Sequence, residues 1–416
     1  MRSTMPSPVP CEIAVVGGGP AGLAAAEAAA GAGGRVTLYD RMPSLGRKLL
    51  MAGRGGLNLT HGEPLARFLA RYGAAEPRLR AAIEAFDPDA LRFWAEGLGQ
   101  PTFLGSSGRV FPQAWKASPL LRAWLVRLDR LGVRVVPRHD WLGFGPDGAS
   151  LLAGADGRPV ELRPAATVLA LGGASWPRLG ATGRWLSAFE ALGIGTSALR
   201  PANCALHLSW SNRFGARFAG TPLKRVAFGF GGRCVRGEAV VTAAGLEGGA
   251  VYALSGAIRD ALDAGRVPVL TVDLRPDRPL ADLCRMLARP RGRQSASTFL
   301  RKAAGLPPVA VALLREAADG LPTEPESLAA LVKAAPLVVT GTGGLDRAIS
   351  SAGGVRFEEV DGNFMLRRRP GVFVAGEMLD WEAPTGGYLL QACLSTGRAA
   401  GLAAASWALD LGADAA

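Results

Sequence analysis

The residues whose spacing points most directly to chemistry are glycines. Gly17, Gly19 and Gly22 form a G-x-G-x-x-G pattern, interleaved with Gly18, Pro20 and Ala21, and Asp40 closes the apolar run that follows. Gly17 would permit a tight turn and Gly19 would let the backbone approach a pyrophosphate. Gly22 would let a helix pack closely on a strand, and the helix start would offer unpaired N–H groups to phosphate. Asp40 would accept from ribose hydroxyls, and its charge would repel a 2′-phosphate. The pattern therefore predicts dinucleotide binding, with NAD and FAD served equally well.

Two later glycine clusters extend this cradle. Thr167 to Gly173 reads as a strand running through Leu171 into Gly172-Gly173, and Gly371 to Glu377 reads as another. The Gly376-Glu377 step would lie against a ribityl chain or phosphate. Thr385-Gly386-Gly387-Tyr388 then opens a final helix whose amino end would face an electron-rich ring edge. Three converging strand ends suit a long, extended ligand. Metal chemistry is not indicated: His61, His139 and His207 lie far from one another, and Cys11, Cys204, Cys234, Cys284 and Cys393 contain no C-x-x-C pair.

The elements that must position these residues read as one interrupted nucleotide-binding domain. Glu12 to Val16 is a strand, an alanine-rich helix runs to Gly31, and Arg35 to Asp40 is a second strand. Helical spacing follows at Ala85 to Leu98 and Pro119 to Leu131, with a strand at Val133 to Val136. From about Ala198 to Asp273 the character turns to β, at Val226 to Phe230, Ala239 to Thr242 and Val267 to Asp273. Short helices broken by prolines fill Pro279 to Pro336, and Leu337 to Thr340 is again a strand. The last helix spans about Gly387 to Leu409.

The bulk composition fits a globular protein. A chain of 416 residues, 49% hydrophobic and 20% charged, has the apolar material for a large α/β core or two domains and excludes a disordered or fibrous protein. The formal charge of +12 invites a nucleic-acid reading. Only five of the 47 basic residues are lysine, however, and the arginines are scattered, the densest run being Arg367 to Arg369. No nucleic acid is expected as a partner. With no apolar run of membrane-spanning length, a soluble cytoplasmic protein is the expectation.

Longer motifs carry a family resemblance. Gly46 to Thr60 (GRKLLMAGRGGLNLT), Ala170 to Pro177 (ALGGASWP), Ala352 to Val355, Gly376 to Asp380 and Gly386 to Tyr388 together resemble the HI0933-like flavoproteins, the aminoacetone-oxidase-type FAD-dependent oxidoreductases. The resemblance spans nearly the whole chain. It implies an α/β protein with a Rossmann-type, glutathione-reductase-like FAD domain, into which a β-barrel and a small helical bundle are inserted. The implied boundaries are 1–195 and 347–416 for the FAD domain and 196–346 for the insertion, with helices at about 279–336. It assigns Gly17, Gly19, Gly22 and Asp40 to the AMP half. Gly46, Lys48, Gly53, Gly55, Asn58, Gly376, Asp380, Gly386 and Gly387 go to the flavin half. Arg41, Arg47, Arg54, Leu57 and Trp141 are further cofactor contacts, Trp141 beside adenine.

One departure limits what carries over. The family pattern Ser-Gly-Gly-Gly-Arg-Cys-Asn is here Ala52-Gly53-Arg54-Gly55-Gly56-Leu57-Asn58, so the arginine moves and the cysteine becomes leucine. No substrate or thiol role is transferred. Arg54 would pair with phosphate or orient substrate, Lys48 would contact cofactor or structure, and Tyr388 would pack over the isoalloxazine or donate a proton. Cys393 reads as a core residue, while Trp176, Trp381 and His61 read as packing or substrate contacts. No catalytic acid or base is identified. The function so read is an FAD-dependent oxidoreductase, oxidase or reductase, of a small organic substrate; since no second nucleotide fingerprint exists, NAD(P)H would be a donor that binds transiently at the flavin face, or not at all. The rival readings are an RNA-handling flavoprotein and a flavin-binding protein without turnover.

Overall fold

β1 (Ile13–Val16) is four consecutive buried residues, as a strand flanked on both sides by others and covered on both faces requires. It pairs in parallel with β2 (Val36–Asp40), which pairs with β3 (Arg134–Pro137). On its other side it pairs with β4 (Ala166–Leu169), which pairs with β5 (Val372–Val374). The sheet order is thus β5-β4-β1-β2-β3, all parallel. The computed structural model describes residues 13–414; Cys11 and Glu12 lie outside the described residues, as does the side chain of Arg54.

By contacts the chain forms two units, one running through Arg200 and again from Ser350, the other Pro201–Ile349. In the first, the connection from β1 to β2 is helix α1 (Pro20–Gly31), which begins with proline at its first turn and is mostly alanine. Small side chains let it lie against the long C-terminal helix α3 (Tyr388–Asp414). A Cβ added at Gly397 or Gly401 would come within 2.1 and 2.2 Å of the carbonyl oxygens of Ala21 and Ala25, so the two backbones are in direct contact. The short helix α2 (Arg47–Ala52) lies between them in the sequence. Glu27 of α1 ties down two further helices, accepting from the indoles of Trp94 (3.0 Å) and Trp124 (2.6 Å) and from Arg127 (3.0 Å).

Local chemistry corrects one expected element. The helix expected over Ala85 to Leu98 is Pro88–Gly97, starting three residues later because Asp87 caps it by accepting from the Ala90 N–H and Pro88 begins it, and a separate helix, Glu76–Ala85, precedes it unread. Two small antiparallel sheets also went unforeseen, one of Thr60–His61, Arg109–Pro112 and Thr102–Leu104, the other of Asp140–Phe144, Ser150–Ala153 and Pro159–Leu162. Their strands are two to five residues long, too short for alternation to register.

The second unit is a closed six-stranded barrel with helices. The barrel order is Leu206–Leu208, Gly245–Glu247, Arg233–Val241, Pro222–Phe230, Val269–Asp273, Ala335–Thr342. Phe228, Val241, Leu246, Leu270 and Val272 fill it completely buried. Four short helices, Leu280–Leu287, Ala296–Ala303, Pro308–Glu316 and Pro325–Lys333, share that core through Leu283, Leu300 and Leu313. Among the described residues, no helix is long and apolar enough to cross a membrane.

Candidate functional site

The carboxyl ends of β1, β2 and β4 open on one cleft. This is where ligands sit in open parallel sheets, because the chain leaves adjacent strands in diverging directions. Gly17, Gly18, Gly19, Pro20, Ala21, Asp40, Arg41, Gly46, Arg47, Lys48, Trp141, Leu171, Gly172 and Glu377 all line it.

The glycine turn is built as a backbone cradle. Gly17 has φ of 108°, and a Cβ there would strike the Ala170 carbonyl oxygen at 2.2 Å. Gly22 lies under the turn, where a Cβ would fall 1.7 Å from the Gly17 oxygen. Gly19 differs from both, since a Cβ would meet nothing within 4 Å. Its lack of a side chain serves space, not packing. Gly19 also caps α1 without any side-chain acceptor, which leaves the positive end of the helix turned toward that space.

Asp40 holds the turn from the other side. Its Oδ2 accepts from the Gly18 N–H and its Oδ1 from the Met42 N–H, both at 2.6 Å. Burial raises its pKa against the pull of those two bonds and of Arg41 and Arg47. Neighbouring charges are paired: Arg41 and Arg184 both meet Asp140. Two residues that line the cleft each carry a buried donor without a partner, Nε1 of Trp141 and Nε of Arg47. Buried donors of this sort are rare unless something binds there.

At the far end Lys48 Nζ contacts Glu377 Oε2 at 2.6 Å, while Glu377 Oε1 accepts from the Ser351 N–H. Cys393 lies beside them, its thiol pushed up to about 12 by burial and then by the Glu377 charge, so it stays protonated.

Other expected site residues lie away from this cleft. Gly53 packs on Ala117, Gly173 on Ser351 and Glu377, Gly376 on Ala21, and Gly387 on Thr60. Gly55 ends a short 3-10 turn, Leu57 is buried with its N–H bonded to the Trp115 carbonyl, and Asn58 Oδ1 is buried without a partner. Asp380 accepts from Ser197 Oγ at 2.6 Å. A Cβ on Gly386 would strike the Tyr388 ring.

Tyr388 belongs to a cluster that sequence reading found only in part. Its phenol donates to Glu63 Oε1 at 2.5 Å, and Glu63 also receives two bonds from Arg71. His61 stacks on the Tyr388 ring, and Tyr72 donates to the Tyr388 carbonyl. His61 Nδ1 accepts from the Glu63 N–H while Nε2 faces the Ser107 carbonyl, an arrangement that suits the neutral Nε2-protonated ring. The Arg71 hydrogen bond holds the Glu63 carboxyl below its usual range, and burial followed by Glu63 holds the Tyr388 phenol above its own. Glu63, Arg71 and Tyr72 carry no local motif, so only contact in three dimensions reveals them. Trp381 donates to the Gly376 carbonyl and Trp176 lies under Arg178, so both have structural partners. Among the described residues, no group of acidic, histidine or cysteine side chains could hold a metal.

Comparison with known proteins follows from this geometry. The HI0933-like protein Rossmann domain model matches residues 11–403. A 3-dehydro-bile acid delta(4,6)-reductase of Clostridium scindens is 28% identical over 414 residues, covering 94% of this chain and 98% of that protein. Among solved structures, the open conformation of a flavocytochrome c3 fumarate reductase matches with a TM-score of 0.55 and 17% identity, covering 97% of this chain and 80% of that one. A 3-ketosteroid-delta4-(5alpha)-dehydrogenase from Rhodococcus jostii matches at 0.52 and 18%, covering 97% and 98%. At these identities the two structures share the fold.

Proposed function

The chain belongs to the HI0933-like Rossmann-domain family, and from that premise we propose that it is an FAD-dependent oxidoreductase of a small organic substrate, with NAD(P)H as transient donor. The carrying observation is the open face of Gly19: a helix start with no side-chain cap, at the carboxyl end of a parallel sheet, with room for a pyrophosphate and no protein atom filling it. Bound FAD supplies hydride-transfer chemistry.

The chain's own residues bind and orient it. Asp40 and Trp141 take the adenosine end, the latter with its unpaired indole N–H, and the turn from Gly17 to Ala21 takes the phosphates. Arg41, Gly46, Arg47, Lys48, Leu171, Gly172 and Glu377 form the walls, and Lys48 with Glu377 gives a charge-neutral floor. Gly53, Gly55, Leu57, Asn58, Gly376, Asp380, Gly386 and Gly387 do not line the cleft and would support the flavin half from behind its walls, and Arg54 is retained as a flavin-half residue by its place in the chain. The phenol of Tyr388 donates a hydrogen bond to Glu63, which supports a role in fixing the start of α3 over one in protonating substrate.

The name of the Clostridium scindens relative favours a polycyclic, carbonyl-bearing substrate and a reductive direction. Cys204, Cys234, Cys284 and Cys393 form no disulfide with one another, as suits a reducing compartment. The test is anaerobic mixing of the purified yellow protein with NADH, then NADPH, following flavin absorbance. Bleaching by either one is expected. A protein that carries no flavin and takes none up on reconstitution would overturn the assignment.

A further inference from the structure

The barrel unit carries a second concavity, of about 1200 Å³, that the flavin chemistry does not use. Lys224, Arg225, Arg275, Arg301 and Lys302 line it together with Thr298, and no acidic residue does. Elsewhere arginines commonly meet carboxylates, as at Arg127–Glu27, Arg236–Asp277 and Arg285–Asp282. Among the described residues none of these five has an acid within ion-pair distance. The nearby Asp273 is taken by Lys333 at 2.6 Å.

The backbone is shaped to gather these charges. Neighbouring residues of a regular strand point to opposite faces, yet Lys224 and Arg225 both line the cavity. The pairing register of Pro222–Phe230 shifts between Leu223 and Val226, and Arg225 sits there with φ of 52°. A bulge that places a long side chain in the left-handed region costs energy and re-aims that side chain. Arg275 is held from behind, its Nε donating to the Ala304 carbonyl at 2.8 Å and its Nη1 to that of Leu274 at 3.2 Å. Gly305 leaves room for the guanidinium, since a Cβ would lie 3.3 Å from Nη2. Burial and the charges of Arg225 and Arg278 weaken the hold of Arg275 on its proton, the mark of crowding that an anion would relieve.

We propose that this concavity is a binding site for a small ligand bearing two or more linked phosphates. A phosphate group carries up to about two charges, so one alone would leave most of five cations unmatched. Pro307 and Pro308, which start the helix Pro308–Glu316, offer no N–H, so side chains do the recognition. No aromatic residue lines the site, whereas surfaces for single-stranded nucleic acid combine cations with stacking rings.

The experiment is calorimetric titration of the full chain with inorganic tripolyphosphate, orthophosphate and a single-stranded RNA oligonucleotide. Saturable one-to-one binding of tripolyphosphate is expected, at least tenfold tighter than orthophosphate. Arg225→Gly and Arg301→Gln should each weaken it about tenfold. Arg225→Gly suits the positive φ, so its unliganded melting temperature should not fall, and flavin absorbance should be unchanged in both variants. Absence of saturable binding, equal affinity in the variants, or tighter binding of RNA than of tripolyphosphate would each overturn the proposal.

Discussion

Asp40 Oδ2 accepts the Gly18 N–H at 2.6 Å, so the acid ending β2 is bonded to the turn that follows β1. The same carboxylate that lines the cleft also sets the shape of the glycine turn. Asp40→Ala would leave the amides of Gly18 and Met42 without acceptors, at a loss of about 2 kcal/mol. FAD affinity should fall roughly tenfold or more, read by fluorescence titration of the apoprotein. Unchanged affinity would remove Asp40 from the adenosine site.

Gly19 and Gly22 make a paired test. Gly19→Val adds bulk only to open space, at φ of −81°, so the variant should fold and emerge colourless. Gly22→Val would drive a Cβ into the Gly17 carbonyl and should cost the fold itself, with low soluble yield. Full yellow colour in Gly19→Val would contradict the placement of the pyrophosphate.

The Lys48–Glu377 pair predicts non-additivity. Lys48→Met strands a carboxylate that is only 8% exposed and should lower stability by about 2 kcal/mol in urea denaturation. Lys48→Met with Glu377→Gln together should recover part of that loss, because no bare charge remains. Strict additivity would mean that the two side chains do not act as a pair.

Glu63 should make stability depend on acid. Its carboxyl is lowered chiefly by the Arg71 hydrogen bond and further by Tyr388, so the folded form binds its proton less readily than the unfolded chain. The stabilisation is fully present above the unfolded pKa of about 4.3 and is lost as pH falls through the lower folded value. Glu63→Gln should therefore be less stable at pH 7, by about 1 kcal/mol, and the gap to the natural chain should narrow as the pH falls below the unfolded pKa in thermal melts. Parallel curves at every pH would assign the loss to shape alone.

The opening βαβ unit was legible because each of its parts is local. Gly17, Gly19 and Gly22 lie within one turn, and Asp40 is one strand away. The HI0933-like resemblance was legible because long motifs keep their order along the chain. The helix read from Ala85 in fact starts after Asp87, because an N-cap aspartate before proline outweighs apolar spacing.

Sequence by itself determined the glycine turn and the acid that meets it, since backbone conformation at a turn follows from the identity of a few neighbours. Only the tertiary structure decided that Tyr388, Glu63 and Arg71 meet, or that five cations from a bulged strand, a loop and a helix surround one concavity. Such groupings join residues far apart in the chain, and no local pattern encodes the closure that brings them together.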